Sequence, residues 1–89
     1  MDLFDAIVSL ESILTSQFRP TYLSLLTEEN SPNVVVTIAS KQFEDVPLEK
    51  RIDMVFRMID SHDPNMRKWI IVQPHTTSEI LDLIDHGKL

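Results

Sequence analysis

The sequence predicts a small α+β domain over residues 1–89: a three-stranded mixed sheet with helices packed on one face, in the order α-β-β-α-β-α. Three observations predict it. The run Val34-Val35-Val36-Thr37-Ile38-Ala39 has five apolar residues in six, four of them β-branched aliphatics, which is the pattern of a strand buried on both faces. Three other segments carry apolar residues at steps of three and four, the spacing of a helix face. With 89 residues, 43% of them hydrophobic, the chain has enough material for one core and not for a second.

The first segment is a helix with its stripe on Leu3, Ile7, Leu10, Ile13, Leu14 and Phe18. Asp2 can cap its first turn and Asp5 favours the positive end of its dipole. Arg19-Pro20 stops it, because the residue before a proline is pushed towards extended geometry. Thr21 to Glu29 then reads as a strand, and Glu28 to Asn33 supplies turn residues. That short polar link joins it to Val34–Ala39 as an antiparallel hairpin.

The next helix starts at Pro47, whose missing N–H is harmless there, and carries Leu48, Ile52, Val55, Phe56 and Ile59. Ser61-His62-Asp63-Pro64-Asn65 ends it. Trp69-Ile70-Ile71-Val72 is the third strand, parallel to the second because a helix connects them. Thr76 and Glu79 have the spacing of a capping box before a last helix with Ile80, Leu81, Leu83 and Ile84; Gly87 suits its end.

Composition excludes several kinds of chemistry. Cysteine is absent, which removes disulfides, thiolate metal sites and thiol catalysis. The only glycine is Gly87, so there is no glycine-rich phosphate loop. No apolar run is long enough to span a membrane, and the acids at the start argue against an export signal, so a cytoplasmic location is expected. His62, His75 and His86 are widely spaced, lack the rhythm of metal ligands and read as surface histidines. Asp60 and Asp63 flank His62, but with Pro64 they are explained as turn residues. Met54 and Met58, four apart, read as core filler. Nothing points to catalysis, so no enzyme, cofactor or metal site is expected.

Net charge is −6, unfavourable for phosphate backbones, yet six of the eight bases fall between Lys41 and Lys68, where six acids match them. That reads first as a solvated surface with paired charges and second as a recognition face.

The stretch VVVTIASKQFEDVPLEKRIDMVFRMI, Val34 to Ile59, resembles the BolA-like family, with Ser40, Phe43, Glu44, Leu48, Lys50, Arg51 and Val55 in register. Downstream, RKWIIVQPHTTSEI matches in its apolar strand, in Thr76 and in Glu79. The resemblance implies a fold similar to class II KH domains and a partner such as a monothiol glutaredoxin. Relatives share a two-iron two-sulfur cluster with it through histidine, and some bacterial relatives bind DNA as transcriptional regulators. The departures are specific. Asp45 stands at the family glycine, Ile52 at one histidine and Lys68 at the other; the loop that in some relatives offers a further ligand is TEENSPN. Ile52, on the Leu48–Val55–Ile59 stripe, is expected in the core.

The expected function is a non-catalytic adaptor that binds a protein partner and ligates no cluster itself. Its expected surface is Lys50, Arg51 and Lys68, exposed and near one another, with Lys68 opening the third strand. The alternative is a nucleic-acid-binding regulator using Lys41, Lys50, Arg51 and Arg57. Should a histidine replace the missing ligand, His62, in the expected loop, is the candidate. His75 lies roughly 23 Å along an extended chain from Lys68.

Overall fold

A computed structural model of the protein describes residues 3–27 and 30–87. The proposed cap at Asp2 and the link residues Glu28 and Glu29 lie outside them. The elements are α1 (Leu3–Phe18), β1 (Tyr22–Thr27), β2 (Val34–Ala39), α2 (Leu48–His62), β3 (Ile70–His75) and α3 (Thr77–Asp85), with single helical turns at Lys41–Phe43 and Met66–Trp69. The sheet order is β1-β2-β3. β1 runs antiparallel to β2, Tyr22 opposite Ala39, and β3 runs parallel to β2, Val34 opposite Ile70. The order of elements, the mixed sheet and the central place of β2 are those the sequence predicts; helices on one face only are not, because α3 packs on the reverse side.

Alternation along the strands places Leu23, Leu25, Val34, Val36, Ile38, Ile70 and Val72 on one face. Against it pack Ala6, Leu10, Leu14 and Phe18 of α1 and Val55 and Ile59 of α2, closed by Phe43 and Met66. α3 is placed differently. Its one buried residue, Ile80, stands apart from this core, while Thr37 and Ala39, which point to the reverse face, are also buried. α3 touches β2 and β3, and covers that side of the sheet near their ends. The remainder of the reverse face leaves Leu26 and Ile71 exposed.

Local differences from the sequence expectation have physical reasons. Trp69 and Lys68 belong to the turn Met66–Trp69, and the strand begins one residue later and runs on through Pro74. The His75 carbonyl accepts from the Ser40 N–H across the ladder, so His75 and Gln73 turn their peptide groups towards β2. Pro74 therefore turns its nitrogen to the outer edge, where a missing N–H removes no ladder bond. His62 is the last residue of α2 and not part of a loop. Ile52 is half-buried and outside the core, and Leu48 is 57% exposed; α2 meets the sheet through Val55 and Ile59.

The link from β2 to α2 is held by one buried hydroxyl. Ser40 Oγ donates to the Phe18 carbonyl at 2.7 Å and accepts from the Gln42 N–H at 3.1 Å. Gln42 Nε2 donates to the Gln17 carbonyl at 2.9 Å. These bonds satisfy carbonyls left unpaired at the C-terminal end of α1. The Phe18 and Phe43 rings meet at 5.3 Å between centroids. Ser40 and Phe43, two residues that carry the family resemblance, thus tie α1 to the sheet.

Candidate partner-binding surface

The parallel β2–α2–β3 unit gives the molecule two distinct ends. α2 runs back against the strands, so its start lies beside the end of β3, and its last residue, His62, lies towards the beginning of β3.

At the first end, Arg51 does not form an exposed surface. Its side chain is 13% exposed. Nε donates to the Val46 carbonyl at 2.7 Å, and Nη1 donates to Glu79 Oε1 at 2.7 Å. The same Glu79 oxygen accepts from the Thr76 N–H at 2.8 Å, while Thr76 Oγ1 accepts from the Glu79 N–H at 3.2 Å. The expected capping box is present, and Arg51 clamps it to the start of α2. The Thr76 amide, more than any other group, holds the Glu79 carboxyl below the usual glutamate range; burial, next in size, opposes it, and Arg51 and His75 add to the lowering. Beside this clasp, Leu48, Pro74, His75, Asp82 and Leu83 line an open cleft of about 450 Å³.

At the second end, Lys68 is exposed in the turn before β3. The β1–β2 link converges on the same end, since Thr27 pairs with Val34 and Val34 with Ile70. His62 is exposed near there as the last residue of α2, while His75 closes β3 at the other end. The topology thus gathers Lys68, the link and His62, and separates them from Lys50 near the start of α2. Lys50 and His62 are twelve helical steps apart, roughly 18 Å of axis at 1.5 Å each. The expected cluster of Lys50, Arg51 and Lys68 is therefore not formed. Sequence distance along a crossover says little about spatial distance, and Arg51 found its partner 28 residues away.

The basic segment is also largely neutralised. Arg57 pairs with Asp53 at 2.8 Å one turn back on α2. Arg67 pairs with Asp60 at 3.1 Å and its guanidinium lies 4.8 Å from the centre of the Phe56 ring. Of the alternative nucleic-acid residues, Lys41 and Lys50 are exposed, Arg57 is paired and Arg51 is held in the clasp. No continuous basic face results. Among the described residues no cluster of three or more His, Asp or Glu is placed to hold a metal ion, and no helix is long and apolar enough to cross a membrane.

One surface feature was not foreseen. Phe18, Met54 and Met58, with Gln17, Gln42 and Arg57, line a depression of about 200 Å³ between the end of α1, the turn Lys41–Phe43 and α2. Its sequence signal was the Met54–Met58 spacing, which reads equally well as core.

No family model matches the sequence, and no curated protein does. Solved structures do match. BolA1 from Arabidopsis thaliana is similar with a TM-score of 0.65 and 20% identity, over 81% of this chain and 92% of that one. A Bol-like protein from Babesia bovis is similar with a TM-score of 0.61 and 24% identity, over 79% of this chain and 83% of that one. At such identities the likeness speaks for the fold. With the same order of elements on a three-stranded mixed sheet, the chain has a BolA-like fold, as the resemblance of its middle segment implied.

Proposed function

We propose that this chain is a non-catalytic BolA-like adaptor of the cytoplasm, binding a protein partner such as a monothiol glutaredoxin without itself ligating an iron–sulfur cluster. One observation carries the reading. Lys68 stands where the resemblance places a ligand histidine, and the fold brings it to the same end of the sheet as the β1–β2 link. An ammonium group at that position supplies a donor and a charge to a partner, and no neutral nitrogen to a metal. The partner surface proposed is accordingly the Lys68 end alone. Arg51 is part of the scaffold, and Lys50 belongs to the other end.

The test is binding of purified, cluster-loaded monothiol glutaredoxin, followed by calorimetry and by visible circular dichroism. The wild type is expected to bind with the cluster spectrum unchanged. Lys68→Glu is expected to weaken binding about three- to tenfold, and Lys50→Glu to leave it unchanged. Absence of binding by the folded wild type would remove the glutaredoxin reading. A spectral change lost in His62→Ala would show that the chain does ligate the cluster.

A further inference from the structure

The depression between α1 and α2 combines three properties. Its floor is apolar and adaptable: Phe18, Met54 and Met58, two of them unbranched thioethers that adjust to the shape of an incoming group. Its volume, about 200 Å³, is of the right order for one large side chain, since a closed cavity of about 150 Å³ holds a benzene ring. Its rim is held in place, because Gln42 is bonded to the Gln17 carbonyl and, through its N–H, to the buried Ser40 hydroxyl. A pocket so fixed needs little reorganisation on binding.

The charge around it is opposite to that of the molecule as a whole. Arg57 lines the pocket, Arg19 follows Phe18 directly, and Lys41 precedes Gln42; all three are exposed. Asp53, one turn back on α2, pairs with Arg57. One base thus lines an apolar pocket, and two more bases and one acid adjoin its lining residues in the chain, on a molecule of net charge −6. Arg19 also holds a left-handed backbone, φ 45°, where it leaves α1.

We propose that this pocket is a docking site for an acidic peptide segment of a partner protein, with a phenylalanine or large aliphatic side chain as its anchor. The anchor fills the space over Met54, Met58 and Phe18, and flanking carboxylates meet Arg57, Arg19 and Lys41. A nucleic-acid strand fits less well. The floor accommodates a single side chain and offers no row of stacking rings, and the rest of the molecule repels a phosphate chain. Lys68 is not among the residues that line the site, and the proposal does not depend on the glutaredoxin reading, so either can fail while the other stands.

The test uses a fluorescein-labelled peptide, Asp-Glu-Phe-Asp-Glu, titrated with the whole protein and followed by anisotropy, with methyl chemical shifts of Met54 and Met58 as the location readout. Saturable binding is expected, with shifts at both methionines. Replacing the peptide Phe by Ala is expected to weaken binding at least about tenfold, the consequence of losing one buried aromatic side chain. Arg57→Glu, at a residue whose side chain is 76% exposed, is expected to weaken it about three- to tenfold without affecting the fold. Lys41→Glu gives a second such variant outside the pocket floor. No saturable binding up to about 1 mM overturns the proposal. So do binding that is indifferent to the Phe, shifts that map elsewhere, or tighter binding of a single-stranded DNA pentamer in competition.

Discussion

The two ends of β3 use similar residues in opposite ways. At one end a base and an acid that look like surface residues, Arg51 and Glu79, are joined to each other, to the Val46 carbonyl and to the Thr76 amide. At the other, Lys68 stands in solvent, at the end of the sheet where Thr27 pairs with Val34 and Val34 with Ile70. Both Arg51 and Lys68 occupy positions that the family resemblance marks. The difference teaches that a matching residue can belong to the scaffold and a departing one to the surface. In Arg51 the match reports how the start of α2 is fixed to the last helix. In Lys68 the departure changes what the exposed end can offer a partner.

Charge reversal gives the largest expected contrast. Arg51→Glu removes two charge-assisted bonds, leaves the Val46 carbonyl without its donor and sets a second carboxylate against Glu79. We expect a loss of about 2–3 kcal/mol in urea unfolding at neutral pH. Lys68→Glu touches no bond in the structure and should change stability by less than about 0.5 kcal/mol. Equal effects of the two would mean that the clasp does not hold the ends of α2 and α3 together.

Acid sharpens the comparison. The carboxyl of Glu79 is lowered in the folded state, so the stability it contributes is present above the ordinary glutamate range and is lost as pH falls through the folded value. A pH series of urea midpoints should show wild type and Glu79→Gln converging as the solution is made acid. Because the Thr76 amide is the largest cause of the lowering, Arg51→Gln should retain part of this acid sensitivity. If Arg51→Gln abolishes it, the guanidinium and not the backbone amide governs Glu79.

How much of this was legible before the fold was known follows from the range of each interaction. The strand Val34–Ala39, the helical stripes and the Thr76–Glu79 box are local patterns, and they were read from the sequence with their approximate bounds. The Arg51–Glu79 bond joins residues 28 apart, and nothing local to Arg51 distinguishes it from Lys50. The stripe on α2 was legible, but the choice between its two sides was not. Leu48 and Ile52 face the cleft beside α3, whereas Val55 and Ile59 reach the sheet. The depression at Met54 and Met58 was missed because it needs the end of α1, which the Ser40 and Gln42 bonds and the packing of Phe18 bring there.

Asp45 offers the smallest and most discriminating prediction. The family resemblance places a glycine there, and the structure gives the reason: Asp45 has φ 59°, in the left-handed region, two residues beyond the buried Phe43 and next to Val46, whose carbonyl receives Arg51. Aspartate tolerates this conformation better than most residues do, and glycine takes it without strain. The position thus belongs to the scaffold end, and its departure from the family is a backbone compromise with no change of chemistry. Asp45→Gly removes strain but gives the unfolded chain more freedom, so a net gain of no more than about 0.5–1 kcal/mol is expected. Asp45→Ala keeps the Cβ without the local hydrogen-bonding that helps aspartate, and should lose about 1 kcal/mol. Both changes should leave partner binding at the Lys68 end intact, read by the same glutaredoxin titration. A loss of binding in Asp45→Gly, with the fold retained, would mean that the carboxylate and not the backbone is what this position supplies.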